Sequence, residues 1–218
     1  MKHEFICEMP YPMVKITLNQ GESIRIEPGS ITYSDMTMEF DTVVDRGPSG
    51  GGLGKALARS FLSNQSIFKT VAYTQAPFAE AVLGARQPGE VYRLELGQFQ
   101  WCLQDGVFLF CETTCDYSLQ HVPRTLAETF LSASVSHFMM HTVGHGDMYI
   151  TSCGKIEAVD ITPDRPRRFD NTHVVAWTYN TGLNMVPRIM WDDVATGFMY
   201  EFSGFGRVLV QSCCRVKI

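Results

Sequence analysis

An all-β fold is predicted by three observations. Apolar residues recur at every second position in short runs, glycine-containing turns separate those runs, and 45% of the 218 residues are hydrophobic against 19% charged. Period two puts alternate side chains on one face of an extended chain, which is the pattern of a half-buried strand. Glycine turns at intervals of about eight to twelve residues let such strands reverse into an antiparallel sandwich or barrel. The composition supplies a core and argues against disorder.

Taken in chain order, Val14, Ile16 and Leu18 alternate with Lys15 and Thr17. Ile24 and Ile26 repeat the pattern around Arg25, Ile31 and Tyr33 around Thr32, and Tyr92, Leu94 and Leu96 around Arg93 and Glu95. The turns read Asn19-Gln20-Gly21, Glu27-Pro28-Gly29, Gln87-Pro88-Gly89, Gln104-Asp105-Gly106 and Ser152-Cys153-Gly154. In the Pro-Gly pairs, proline pre-sets one turn angle and glycine permits the positive φ of a type II turn. Two segments depart from period two. Leu53, Leu57 and Phe61 have helical spacing within 53–62, and Thr125 with Glu128 forms a capping box opening a helix over 125–131. Both are expected to cover sheet ends or faces.

A turn, a Gly-Glu step and an apolar strand recur with drift, at Gly21-Glu22 and Gly89-Glu90. A Gly-x-Gly element recurs at Gly144-His145-Gly146 and Gly204-Phe205-Gly206. Internal duplication explains this better than independent turns. The expected organisation is about three units: 1–74 with a glycine loop and a short helix, 75–122, and 123–218 with a short linking helix.

These residues resemble the family named for a mitochondrial biogenesis protein of the altered-inheritance-of-mitochondria type, related in fold to the tryptophan RNA-binding attenuation protein. The resemblance covers nearly the whole chain. It rests on the Gly-Glu and Pro-Gly hairpins, Gly50-Gly51-Gly52 with the 53–59 helix after it, Phe68 and Tyr73, and the two Gly-x-Gly elements; Asn64-Gln65 departs from it. It implies three tandem attenuation-protein-like β-sandwich modules with pseudo-threefold symmetry and assembly into a homo-oligomer, with a trimer the expected form. It supplies no catalytic residue.

The net charge of −5 argues against binding nucleic acid by phosphate neutralisation, which needs clustered Lys and Arg. The one basic cluster, Arg165, Arg167 and Arg168 beside Pro163 and Pro166, reads as a solvated loop. Seven cysteines, an odd number without a CxxC pair, fit a reduced, cytoplasmic protein better than a disulfide framework or a zinc site. The first residues lack the apolar run of a signal peptide, and no stretch approaches the ~18–20 apolar residues of a spanning helix.

Several motifs invite chemistry. Gly47-Pro48-Ser49-Gly50-Gly51 fits G-x-S-x-G, but a nucleophile elbow belongs to a parallel sheet with crossover helices, so 47–54 reads as a glycine loop. A phosphate loop at Gly54-Lys55 fails because Ser49 and Ala56 stand where glycine and Ser or Thr are required. His137, His141 and His145 recur every four residues. On a strand running into a hairpin, the first two lie about 13–14 Å apart, too far for one ion, unless a metal sits between subunits. Asp35, Glu39, Asp41 and Asp45, and Asp192 with Asp193, read as solvated carboxylates. Cys111 and Cys115 lie in an apolar run without a basic sequence neighbour and read as inert buried thiols.

The expectation is a non-enzymatic, oligomeric β scaffold that binds a protein or small molecule, with no cofactor and no assigned catalytic, cofactor or metal residue. The alternatives are a serine hydrolase using Ser49 with a histidine such as His173, and single-stranded RNA binding by analogy of fold.

Overall fold

The computed structural model describes residues 1–44, 68–121, 138–192 and 195–214. Among the described residues there are nineteen strands and no helix. After β1 (Lys2–Cys7) come three series of six. The first is β2 (Met13–Asn19), β3 (Ser23–Ile26), β4 (Ile31–Ser34), β5 (Met38–Val44), β6 (Phe68–Thr74) and β7 (Phe78–Gly84). The second is β8 (Val91–Leu96), β9 (Trp101–Leu103), β10 (Phe108–Glu112), β11 (Cys115–His121), β12 (Phe138–Gly144) and β13 (Gly146–Thr151). The third is β14 (Ile156–Ile161), β15 (Arg167–Asp170), β16 (Val174–Thr178), β17 (Asn184–Asp192), β18 (Ala195–Ser203) and β19 (Gly206–Gln211).

One pairing scheme recurs in all three series, always antiparallel. The last strand pairs with the first and the third: β7 with β2 and β4, β13 with β8 and β10, β19 with β14 and β16. The fifth pairs with the second and the fourth: β6 with β3 and β5, β12 with β9 and β11, β18 with β15 and β17. Even the irregularity repeats. The register shifts between Ile31 and Tyr33, between Phe108 and Phe110, and between Val174 and Ala176, always on the third strand. Such a bulge bends the strand and turns its side chains. It explains a departure from expectation: Ile31 and Tyr33 do not share a buried face, and Tyr33 is exposed.

Two further pairings join the series, β3 to β10 and β9 to β16. They fuse half of one series to half of the next in two six-stranded sheets, β5-β6-β3-β10-β13-β8 and β11-β12-β9-β16-β19-β14. The remaining halves form β1-β2-β7-β4 and β15-β18-β17. Hydrogen bonding therefore runs across residues 74/75 and 122/123, since β2 pairs β7 and β11 pairs β12.

Each series buries a core between halves of two different sheets. Val14, Ile16 and Leu18 face Ile24, Ile26 and Ala72 in the first, as their alternation foretells. Leu94, Met148 and Ile150 face Leu103 and Met140 in the second, and Ile161 and Val208 face Phe198, Tyr200 and Phe202 in the third. Neighbouring residues serve different cores: Phe110 joins the first and Cys111 the second, Leu103 the second and Cys102 the third. β1 adds a clasp, for His3 shares a 3.0 Å hydrogen bond with the Tyr149 hydroxyl and packs against Phe110.

The glycines correct part of the sequence reading. Gly21 follows the first strand of its series whereas Gly89 precedes the first strand of the next, so the two Gly-Glu steps are not equivalent. Gly89 does not have the positive φ of a type II turn. It is there for close approach: a Cβ would land inside the Ser152 carbonyl. Its N–H donates to the Pro10 carbonyl at 2.7 Å, and Gly154 N–H donates to Pro88 at 3.0 Å. The Gly-x-Gly elements are equivalent, since both lead into the last strand of their series. The segments 53–62 and 125–131, expected to be helical, lie outside the described residues.

Candidate functional site

Polar chemistry concentrates at the seam between the first and second series, where β3 lies against β10. Arg25 stands between Ile24 and Ile26, so burying those two on the core side turns Arg25 away from it. Opposite Cys111, its guanidinium donates to the Thr113 carbonyl at 2.6 Å and to the Cys115 carbonyl. Asp116 accepts from Lys69 at 2.8 Å and lies 3.9 Å from Arg25. Lys69 also donates to the Tyr117 carbonyl at 2.6 Å and sits 4.7 Å above the Tyr117 ring. Burial pushes the Asp116 carboxyl upward, but bonds from Lys69 and the Tyr117 N–H outweigh it and hold the group below the usual carboxylate range.

The β10–β11 hairpin carries two thiols at this seam. Cys115 Sγ lies 3.2 Å from the His145 carbonyl and 3.6 Å from that of Asp147. This closeness needs Gly146, where a side chain would strike Glu112, Thr114 and the Cys115 sulfur. Gly144 likewise leaves space for the Thr114 carbonyl. The hydrogen bond between the sulfurs lowers the Cys115 thiol and, with burial, raises that of Cys111 well above its ordinary value. Cys115 is thus the sulfur readier to lose its proton, which corrects the reading of both thiols as inert; the sequence showed no cation because the effect comes from the other cysteine.

At the seam's other end, Glu27 N–H donates to the Leu109 carbonyl at 2.8 Å. Burial pushes the Glu27 carboxyl up to about 7; Arg86, 3.2 Å away, opposes this, and Asp105 adds repulsion. The second seam, β9 on β16, has the same register with different chemistry. Cys102 is opposite Trp177, and Gln104 N–H donates to Val175 at 2.9 Å, as Glu27 does to Leu109. Burial raises the Cys102 thiol, and the buried Gln104 Nε2 has no partner. Neutral bonds complete this seam: Gln100 N–H to Asn180 at 2.9 Å, and the Tyr179 hydroxyl to the Thr142 carbonyl at 2.8 Å.

The sequence candidates scatter. Ser49 and the whole 47–54 loop, His137, Asp45 and Asp193 lie outside the described residues. His141 is in β12, its ring 4.6 Å from that of Tyr179, and burial lowers its pKa. His145 is at the β12–β13 turn, its N–H toward the Thr114 carbonyl. No group of three or more His, Cys, Asp or Glu suited to a metal occurs among the described residues. His173 spends Nδ1 on the Gln211 carbonyl at 2.8 Å. Glu39 and Asp41 are exposed and both hydrogen-bond the Tyr73 hydroxyl, Glu39 chiefly raising its pKa. Asp35 accepts the Glu80 N–H at 2.8 Å. Arg167 and Arg168 are strand residues rather than loop residues, and Arg168 makes two bonds to Glu201, of 3.0 and 2.5 Å. No two of the seven cysteines are bonded to each other. No helix among the described residues is long and apolar enough to cross a membrane.

Sequence reasoning missed Arg25, Lys69, Glu27 and Arg86. Arg25 alone left a trace, as a charge alternating with two core isoleucines; the others become partners only through pairing between distant strands.

Comparison with known proteins agrees with this architecture. The family model described as mitochondrial biogenesis AIM24 matches residues 3–213. An uncharacterised protein of Streptococcus pyogenes serotype M6 is 29% identical over 210 residues, covering 94% of this chain and 82% of that protein. The X-ray crystal structure of a Streptococcus pyogenes protein superposes with a TM-score of 0.74 at 27% identity, covering 98% of this chain and 94% of the other.

Proposed function

The chain belongs to the mitochondrial biogenesis AIM24 family, and from that premise we propose that it is a non-enzymatic β scaffold that binds a partner through one end of the molecule. Its three series are read as tandem modules like those of the tryptophan RNA-binding attenuation protein, with unit limits near 13–84, 91–151 and 156–211, and copies of the chain assemble into a homo-oligomer, a trimer being the simplest form. The unbonded cysteines support a reducing, cytoplasmic setting.

One observation carries the binding reading. In every series the turns after the first, third and fifth strands lie at the same end, because those strands end beside the start of the last strand or lead into it. The seams keep these ends together, since β3 and β10 run antiparallel from the same side. That end presents Met36, Phe78, Phe99 and Phe205, all exposed. Single exposed apolar residues are ordinary, but several gathered on one end favour a contact surface. The charged groups at the first seam, by contrast, are engaged in holding strands together.

The test places a photo-crosslinking residue at Phe99 or Phe205 in cells, with Glu157 on β14 as control. Adducts confined to the first two sites support the reading. Equal labelling at all three, or loss of no adduct when Met36, Phe78, Phe99 and Phe205 become Ser, overturns it.

A further inference from the structure

We infer that the edges of β4 and β15 are the two halves of a third seam, and that the partner joined through them is a second copy of this chain. The inference rests on the homo-oligomer reading and names its surface.

Both joining pairings couple the second strand of one series to the third strand of the next. The pattern uses β3 with β10 and β9 with β16, and leaves β15 and β4. Each ends a sheet among the described residues, although the strands equivalent to it lie inside six-stranded sheets. The burial follows. Tyr33 on β4 is 58% exposed, whereas its counterparts Phe110 and Ala176 are both 0% exposed. On β15 Phe169 is only half-buried, whereas its counterparts Ile26 and Leu103 are buried.

The repeated register says how the edges meet. Ala81, Met148 and Val208 occupy one position of the last strand, so Ser34, Cys111 and Trp177, which pair with them, are equivalent. Val71, His141 and Glu201 are equivalent on the fifth strand, which aligns Arg25, Cys102 and Arg168. Arg25 faces Cys111, and Cys102 faces Trp177. Arg168 therefore faces Ser34, with Phe169 opposite Tyr33 and Arg167 opposite Asp35.

Backbone directions agree independently. Asp35 N–H donates to Glu80 on β7, so by alternation Ser34 directs its backbone groups away from β7. Asn171 N–H donates to Phe198 on β18, so Arg168 and Asp170 direct theirs away from β18. Asp170 N–H would then donate to the Thr32 carbonyl, as Glu27 does to Leu109 and Gln104 to Val175. Charge agrees too: Arg167, whose Nε is buried without a partner, meets the carboxylate of Asp35. A strand edge paired with a different strand edge is a head-to-tail contact, so copies joined this way close into a ring or extend as a filament.

The test uses chains in which Cys7, Cys213 and Cys214 are Ser. Ser34→Cys and Arg168→Cys chains are mixed and treated with a short bifunctional maleimide, with Thr17→Cys and Arg168→Cys as control. The expected result is a dimer, in the first mixture only, whose linked peptide joins residue 34 of one chain to residue 168 of another. Ser34→Pro, which removes an outward N–H, is expected to weaken association at least ~10-fold by sedimentation velocity while the circular dichroism spectrum is kept. Oligomers without the 34–168 link overturn the surface and leave the oligomer reading standing. A monomer at every concentration overturns both. A doubly substituted chain that links only within itself shows that the third seam closes inside one molecule and overturns the second copy as occupant.

Discussion

The two seams share a register and differ in chemistry, which separates what the fold requires from what each junction adds. At equivalent positions the first seam has Arg25, Cys111 and Glu27, and the second has Cys102, Trp177 and Gln104. The backbone pairing is common to both. The first adds ions that saturate hairpin carbonyls, and the second adds aromatic burial, with Trp177 packed on Tyr200 and Phe202. Strand pairing therefore sets the junction, and side chains can stabilise it in either of two ways.

The largest effect should come from what both series need. Gly89→Ala drives a methyl group into the Ser152 backbone, where neither chain has room to yield, and should cost about 3 kcal/mol in urea unfolding. A near-neutral result would mean that this contact is loose. Arg25→Met comes next. It leaves the Thr113 and Cys115 carbonyls without a donor and should cost roughly 2 kcal/mol, whereas Cys102→Ala at the equivalent place, deleting only a sulfur, should cost nearer ~1 kcal/mol. Reversal of that order would break the contrast between the seams.

Glu27→Gln sharpens it, because it gives the first seam the residue that the second already has. The folded carboxyl titrates near 7, above its unfolded value, so the folded state binds more protons between about pH 4.5 and 7. The stability of the native chain should fall as pH rises through that window and then level off. The Gln variant should melt at nearly constant temperature across it, and be the more stable by roughly 1–2 kcal/mol at pH 8. Parallel melting curves for the two proteins from pH 5 to pH 8 would refute this. The smallest effect is kinetic. Maleimide at pH 7.5 should label Cys7, Cys213 and Cys214 first and the buried Cys102 and Cys111 last, with mass spectrometry giving the order.

Period two and the turns made the strands legible: Val14, Ile16 and Leu18 are buried just where alternation puts them. The duplication was legible too, but one marker was in phase and one was not. Gly-x-Gly marks equivalent hairpins because a neighbouring turn crosses there, whereas Gly-Glu occurs in two unlike connections. The bulge on each third strand was invisible, since it depends on the partner strand and not on composition. The seam residues escaped notice for the same reason: Lys69 and Asp116 are 47 positions apart, and nothing local to either announces the other.

Because Phe110 and Cys111 belong to different cores, no series owns a complete wall of its own. The chain resembles overlapping shingles more than beads on a string. Cutting it after residue 84 would strip the outer strip from a shared sheet and open both remaining interiors to water. Melting should accordingly travel through the whole molecule as a single event, and an excised third of it should not hold a shape.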